Sequence, residues 1–361
     1  MKISIGSKIV NGPWGGGNLF VKNLTNFLQK NGHEVIYDLG DRDIDLILLT
    51  DPRSRKESSS TFNHQDIQSY KKYINSNVAV VQRINECDER KNTEGTNKIY
   101  LEASDTADHV IFVSSWLRDL YINIGMEKSK TSVVLAGSNA DIFNDKNSAK
   151  LKDNEKVKIV THHWSSHENK GFKIYKMIDE MLAQSPWKDL IEFAYIGNTS
   201  EKYEFKNSTI IPPLAGKELA RELKKYHIYV TASINEPSGN HHIEAAQCGL
   251  PILYLESGGI PEYCKGFGVG FKEDFEEKLN LIIKDFDTYK EKMKDYPFNS
   301  EKMCEEFFTI FKDLIEKNKD KTSIKLGVSS YLFLFKNKLS RFARRDVLSK
   351  IRNIIKSRIK K

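Results

Sequence analysis

Residues 235–264, Asn235 to Cys264, read NEPSGNHHIEAAQCGLPILYLESGGIPEYC. Two glutamates, Glu236 and Glu244, are separated by seven residues. Between them, Pro237-Ser238-Gly239-Asn240 spells a turn that leads into a helix. Gly249-Leu250-Pro251 then introduces an apolar strand-like run, and Gly258-Gly259 makes a second turn ahead of Pro261-Glu262. A helix N-terminus offers free backbone N–H groups and the positive end of its dipole, which suits a phosphate. A carboxylate one turn into that helix can accept the paired hydroxyls of a ribose. A second carboxylate just before the turn can meet sugar hydroxyls on the far side of a diphosphate. Two carboxylates bracketing a phosphate cradle are what a nucleotide-sugar requires.

Working outward, the stretch sits in a series of alternating strands and helices. Strands are expected at Val157–Thr161, Ile191–Ile196, Ile228–Thr231 and Pro251–Leu255, with helices between them. An earlier series has strands at Ile3–Val10, Glu34–Tyr37, Asp45–Leu49, Val78–Val81, Val110–Val113 and Ser132–Leu135. Its first strand runs into Gly12-Pro-Trp-Gly-Gly-Gly17 and then a helix with Leu19, Phe20, Leu24, Phe27 and Leu28 on one stripe. The polar segment from Phe143 to Lys156 reads as a linker. Two such arrays predict an α/β protein of two doubly wound, Rossmann-like domains facing a cleft, with ligands at the carboxyl ends of the strands. The expected divisions are 1–148, 149–298, a closing helix at 299–318 capped by Ser300, and a basic amphipathic tail at 319–361.

The stretch resembles the E-x7-E signature of retaining GT-B glycosyltransferases of the family 4 (group 1) type, and further likenesses follow in order. Gly15–Gly17 resembles that family's N-domain glycine loop, Val133–Phe143 its segment before the linker, and Asn169-Lys170-Gly171 its Lys-Gly turn. The resemblance covers roughly residues 1 to 318. It implies that Gly16 and Gly17 admit the diphosphate to the backbone and that Lys170 neutralises it as it departs. Gly239 belongs to the same donor-binding turn. Glu236 would contact the donor sugar, Glu244 the ribose, and the amides of Asn240 and His241 the phosphate or sugar. Glu236 and Lys170 are the implied catalytic residues. Arg83, Asn85, Glu86 and Asp88, which follow the Val78–Val81 strand, are the acceptor-side candidates. Two departures stand out: Ser165 occupies the place of an arginine, and polar Asn240-His241-His242 replaces an apolar pair.

The resemblance implies transfer from a UDP- or GDP-sugar to a glycan or lipid-linked acceptor, in the synthesis of surface polysaccharide or glycolipid, with retention. The alternatives are an epimerase or phosphorylase of the same fold, or a non-catalytic, membrane-tethered sugar-nucleotide-binding protein. No cofactor and no metal is expected. The glycines of 12–17 are not spaced as a dinucleotide fingerprint, and the five histidines 162, 163, 167, 241 and 242 show no i,i+4 pairing with a carboxylate.

The composition, 39% hydrophobic and 29% charged over 361 residues, is that of a globular chain with room for two cores. The four cysteines, Cys87, Cys248, Cys264 and Cys304, form no close pair. No export signal is apparent, and no run approaches the ~18 apolar residues of a spanning helix. The expected setting is cytoplasmic, with peripheral attachment to the membrane. Net charge is +7, yet fifteen Lys and Arg against two acids between Lys317 and Lys361 leave the rest of the chain at −6. The basic charge therefore marks a tail. Its apolar stripe, Leu339 to Ile359, points to an anionic membrane surface through 339–361, and no motif points to nucleic acid.

Overall fold

The computed structural model describes residues 1–10, 15–53, 60–318 and 326–342. Among the described residues, twelve strands form two six-stranded sheets in which every strand pairing is parallel. The first sheet holds β1 (Lys2–Ile5), β2 (Glu34–Ile36), β3 (Leu46–Leu49), β4 (Ala79–Ile84), β5 (His109–Phe112) and β6 (Thr131–Val133). The second holds β7 (Val157–His163), β8 (Ile191–Gly197), β9 (Thr209–Ile211), β10 (Ile228–Thr231), β11 (Ile252–Leu255) and β12 (Gly268–Phe271).

Strand order is β2-β1-β3-β4-β5-β6 in the first sheet and β12-β11-β10-β7-β8-β9 in the second. Both are doubly wound orders. The direction of winding reverses between β1 and β3 in one and between β7 and β10 in the other. A crevice opens at the carboxyl ends of those strands, where the crossover helices diverge to opposite faces. The expected two-sheet α/β architecture is thus the observed one.

Side-chain alternation explains why helices cover both faces of each sheet. In the first sheet Ile3, Ile5, Leu46, Leu48, Ala79, Val81 and Ile111 point into one core, while Ile47, Leu49, Val80, Val110 and Phe112 point into another. Both sets are buried, so the strands read as continuous apolar runs. The first of these cores continues into the C-terminal half, through Ile243, Ile260 and Tyr263. It also takes in the helix Ser300–Asn318, whose Met303, Cys304, Phe307 and Phe311 are buried. The Phe307 ring meets that of Phe20, on the first helix (Gly15–Lys30), at 5.0 Å. The last long helix of the C-terminal half therefore returns to pack on the N-terminal one.

Three local readings differ. The first strand ends at Ile5 rather than Val10. Strands β9 and β12 were not anticipated, because Thr209–Ile211 is only three residues long and half of Gly268–Phe271 is glycine. The helix starting at Ser300 is capped by Asn299, whose side-chain oxygen accepts from the Lys302 amide at 2.9 Å, and not by Ser300. All four cysteines are buried and unpaired. Among the described residues no helix is long and apolar enough to cross a membrane.

Candidate donor site at the cleft

The cleft is assembled from loops at the carboxyl ends of β7 and β10. After β7 the chain makes a short 3-10 turn, Glu168–Lys170, closed by Gly171 at φ +94°. A Cβ on Gly171 would lie 2.5 Å from the Ala232 carbonyl, so only glycine lets the turn sit against the segment after β10. The Ile234 amide donates to the Asn169 carbonyl at 2.7 Å and joins the two loops. That junction brings Lys170 and Glu236 together: the ammonium and a Glu236 carboxylate oxygen form a short ion pair.

Glu236 has a second partner. The Arg90 Nε, from the short helix Asp88–Lys91 after β4, reaches its other oxygen at 3.2 Å. The residue is 4% exposed. Burial pushes its acidity toward a higher pKa, but Arg90 and Lys170 outweigh that and hold it at about 2. An isolated buried carboxylate would be neutral at pH 7, whereas this one is charged.

The helix Asn240–Gln247 follows Gly239, which stands at φ +72° with Glu236 Cγ 3.1 Å from where its Cβ would be. The first amides of a helix have no partner within it. On the opposite wall a Cβ on Gly16 would lie 3.1 Å from the Asn240 side chain. Two helix N-termini, one from each half of the chain, thus converge, with Lys170 and Arg90 nearby. All four contributions favour an anion. A Cβ on Gly17 would have nothing within 4 Å.

Glu244, one turn into the helix, is buried and lies 3.1 Å from the His162 Nε2 at the end of β7. His241 bonds Thr231 Oγ1 at 2.8 Å, and His163 bonds the Tyr175 hydroxyl at 2.7 Å. These histidines hydrogen-bond protein groups, and among the described residues no group of three or more His, Cys, Asp and Glu is arranged to hold a metal ion. His242 is fully buried with neither ring nitrogen partnered. Burial depresses it to about 3 and His241 far below its usual range, so both rings are neutral at pH 7.

The acceptor-side candidates separate. Glu86 is buried and takes Arg90 and Lys91 on one oxygen, each at 3.1 Å. It thereby stands one residue removed from Glu236. Arg83 is buried on β4 with its guanidinium 3.9 Å from the Phe20 ring centroid, and burial lowers it to about 10. Asn85 is half-buried in the loop after β4. Asp88 serves its own segment, accepting from the amides of Thr96 (2.9 Å) and Asn97 (3.0 Å) and from the Thr93 hydroxyl (2.9 Å).

Several cleft residues have no role assigned by the sequence. Arg90, His162, Asn169 and Asn235 act through partners from 79 to 146 residues away, a range local pattern cannot reach. Glu262, within the quoted stretch, turns out to bind across the cleft. Its two oxygens accept from the amides of Ser115 (2.8 Å) and Trp116 (2.9 Å), at the start of the helix Ser115–Asn123.

Residues 192–302 match the family model described as Glycosyl transferases group 1. This segment contains Glu236, Glu244 and Glu262 and excludes Lys170 and Gly16. The gpi3 subunit of phosphatidylinositol N-acetylglucosaminyltransferase from Schizosaccharomyces pombe is 24% identical over 217 residues, 56% of this chain and 46% of that protein. The chain thus spans less than half the length of that curated relative. Among solved structures, a sucrose-phosphate synthase from Thermosynechococcus elongatus superposes with TM-score 0.61 at 15% identity, covering 88% of this chain and 99% of the other. Anabaena HepE in complex with UDP gives TM-score 0.63 at 14% identity, covering 86% and 99%. The lipopolysaccharide outer core galactosyltransferase WaaB gives 0.59 at 12%, covering 87% and 100%. The chain has the GT-B fold, and its residues 192–302 match the family described as glycosyl transferases group 1.

Proposed function

We propose that the chain transfers a sugar, with retention, from a UDP- or GDP-sugar to a glycan or lipid-linked acceptor. The observation that carries this reading is the convergence of two helix N-termini on the Lys170–Glu236 pair at the strand-order reversal. In this reading the diphosphate lies against the amides at Asn240 and His241 and the glycine backbone at Gly16 and Gly17. Glu244, oriented by His162, accepts the ribose hydroxyls. Glu236 accepts hydroxyls of the donor sugar. The bond from the sugar C1 to the phosphate oxygen breaks and a bond from C1 to the acceptor oxygen forms on the same face. The acceptor's proton passes to the departing phosphate oxygen, so no protein base is required. Lys170 stabilises the charge that grows on that leaving group. The Anabaena neighbour holds UDP in its structure, which makes UDP the first nucleotide to test.

Calorimetric titration of UDP and GDP into the chain and its Glu244→Ala variant tests the reading. Micromolar binding of one nucleotide, lost in the variant, supports it. A folded protein that binds neither nucleotide would falsify it.

The same reading includes attachment to an anionic membrane surface. Most of the tail invoked for this, 343–361, lies outside the described residues. The helix Val328–Phe342 that leads into it supports the idea. Its Ser330 hydroxyl donates to the Tyr73 carbonyl at 2.6 Å and its Phe333 ring packs on Tyr70. The opposite stripe of Val328, Tyr331, Leu332, Phe335 and Leu339 is more than half exposed at every position. Apolar residues flanked by Lys336 and Lys338, continuing into a basic sequence, match an interface with anionic lipid. Cosedimentation with vesicles containing a third phosphatidylglycerol, lost on Phe335→Asp with Leu332→Asp, is the expected result. Equal recovery with neutral vesicles would argue against it.

A further inference from the structure

Lys170 is the only cation in the sequence between Thr161 and Gly171, since the positions before it read Ser165, Ser166 and His167. A departing nucleoside diphosphate carries more charge than one ammonium offsets. The second cation at Glu236 comes from the other half of the molecule. Arg90 is fixed there by its own backbone: the Asn169 side-chain amide donates to the Arg90 carbonyl at 3.0 Å, and the Asn235 side-chain amide donates to the Glu89 carbonyl at 3.3 Å. Asn169 directly precedes Lys170, and Asn235 directly precedes Glu236, at φ +51°. The two residues beside the donor pair therefore clamp the segment that delivers the arginine.

The guanidinium bridges Glu86 at 3.1 Å and Glu236 at 3.2 Å, so it lies against the same carboxylate as the Lys170 ammonium. Counting Lys91, three cations meet two carboxylates here, an excess of one positive charge. Both Glu236 oxygens are occupied by cations. Release of the guanidinium opens one of those oxygens fully to sugar hydroxyls, and the guanidinium, still held by Glu86, then has N–H groups free for a new acceptor.

We infer that Arg90 is a donor-binding residue supplied across the cleft: with donor bound, its guanidinium exchanges Glu236 for the diphosphate. The exchange frees Glu236 for the sugar and places a cation from each half on the leaving group. The inference rests on the reading of the cleft as a nucleotide-sugar site.

The test is calorimetric titration of the full chain and its Arg90→Gln and Arg90→Lys variants with UDP, GDP and the matching monophosphates. Loss of one charge-assisted phosphate contact predicts diphosphate binding weaker by about tenfold or more in Arg90→Gln, with monophosphate binding changed by less than about twofold. Lysine keeps the charge without the fork, so Arg90→Lys is expected to fall between, weaker than the parent by about threefold or more. Diphosphate binding that is equal or tighter in Arg90→Gln would overturn the inference, because Arg90 would then only mask Glu236. If that variant does not fold, Arg90→Lys decides: affinity equal to the parent overturns the inference, and the stated loss supports it. A parent chain that binds no nucleotide overturns both the inference and the reading beneath it, whereas intact parent binding with an unaffected variant overturns the inference alone.

Discussion

His162 Nε2 lies 3.1 Å from a Glu244 carboxylate oxygen, with both side chains buried and 82 residues apart in sequence. The ring comes from the end of β7 and the carboxylate from the first turns of the helix after β10, so the bond spans the point where the strand order reverses. It fixes the direction in which Glu244 can present its second oxygen.

Replacing His162 by Phe leaves that carboxylate without its partner. Loss of a hydrogen bond to a charged group costs about 1.5–3 kcal/mol. Nucleotide affinity is therefore expected to fall roughly tenfold or more, with turnover at saturating donor much less affected. Titration calorimetry and saturation kinetics would separate the two, and a variant with unchanged affinity would detach His162 from the site.

Glu236→Gln removes the charge that Lys170 and Arg90 share. Contacts realised at the reacting centre are commonly worth roughly 10²-fold or more in turnover. The expected result is a loss of that size in sugar transfer while UDP or GDP still binds. Parallel activity and binding assays check it, and full turnover in the variant would remove Glu236 from the chemistry.

Glu262→Ala deletes the acceptor for two amides at the start of the helix Ser115–Asn123. Losing a helix cap costs about 0.5–2 kcal/mol. Because this cap crosses between the halves, the variant should show a lower denaturant midpoint together with a larger radius of gyration in solution scattering. A lower midpoint with unchanged dimensions would mean that the bond serves the helix alone.

The buried histidines set the pH response of stability. His241 and His242 are held below the ordinary histidine value of 6.5 in the folded chain, His242 at about 3, and both regain that value on unfolding. Below pH 6.5 the unfolded chain binds more protons, so stability declines as pH falls from there toward 3, by up to about 1.4 kcal/mol per unit for each ring. Glu236, depressed from 4.5 to about 2, adds stability that is complete above pH 4.5 and lost as pH falls toward 2. Thermal unfolding followed between pH 8 and 5 should show the histidine part, and a shallower slope is expected for His242→Phe. An identical slope in that variant would assign the response to other groups.

Much of this molecule is legible along the chain. The apolar runs Leu46–Leu49, Val78–Val81 and Ile228–Thr231 specify buried parallel strands, because a strand covered on both faces needs no polar alternation. Turn chemistry at Gly171, Gly239 and Gly258–Gly259 marks where the chain leaves a strand and enters a helix. The spacing of Glu236 and Glu244 sets the first ahead of the helix Asn240–Gln247 and the second inside it. These features are local, set by periods of two and 3.6 residues and by the freedom of glycine at positive φ.

What the chain does with those residues was decided by packing. Nothing near Glu236 in sequence announces that Arg90 and Lys170 will share it, or that His162 will hold Glu244. Glu262 reads like part of the donor motif and instead binds the opposite half. Asp88 reads like a cleft residue and instead ties down its own helix. A charged side chain acquires its partner only when two loops from distant strands are brought to the same crevice. Sequence determined most of the strands and helices and the glycine turns between them; the folded cleft alone decided which charges meet.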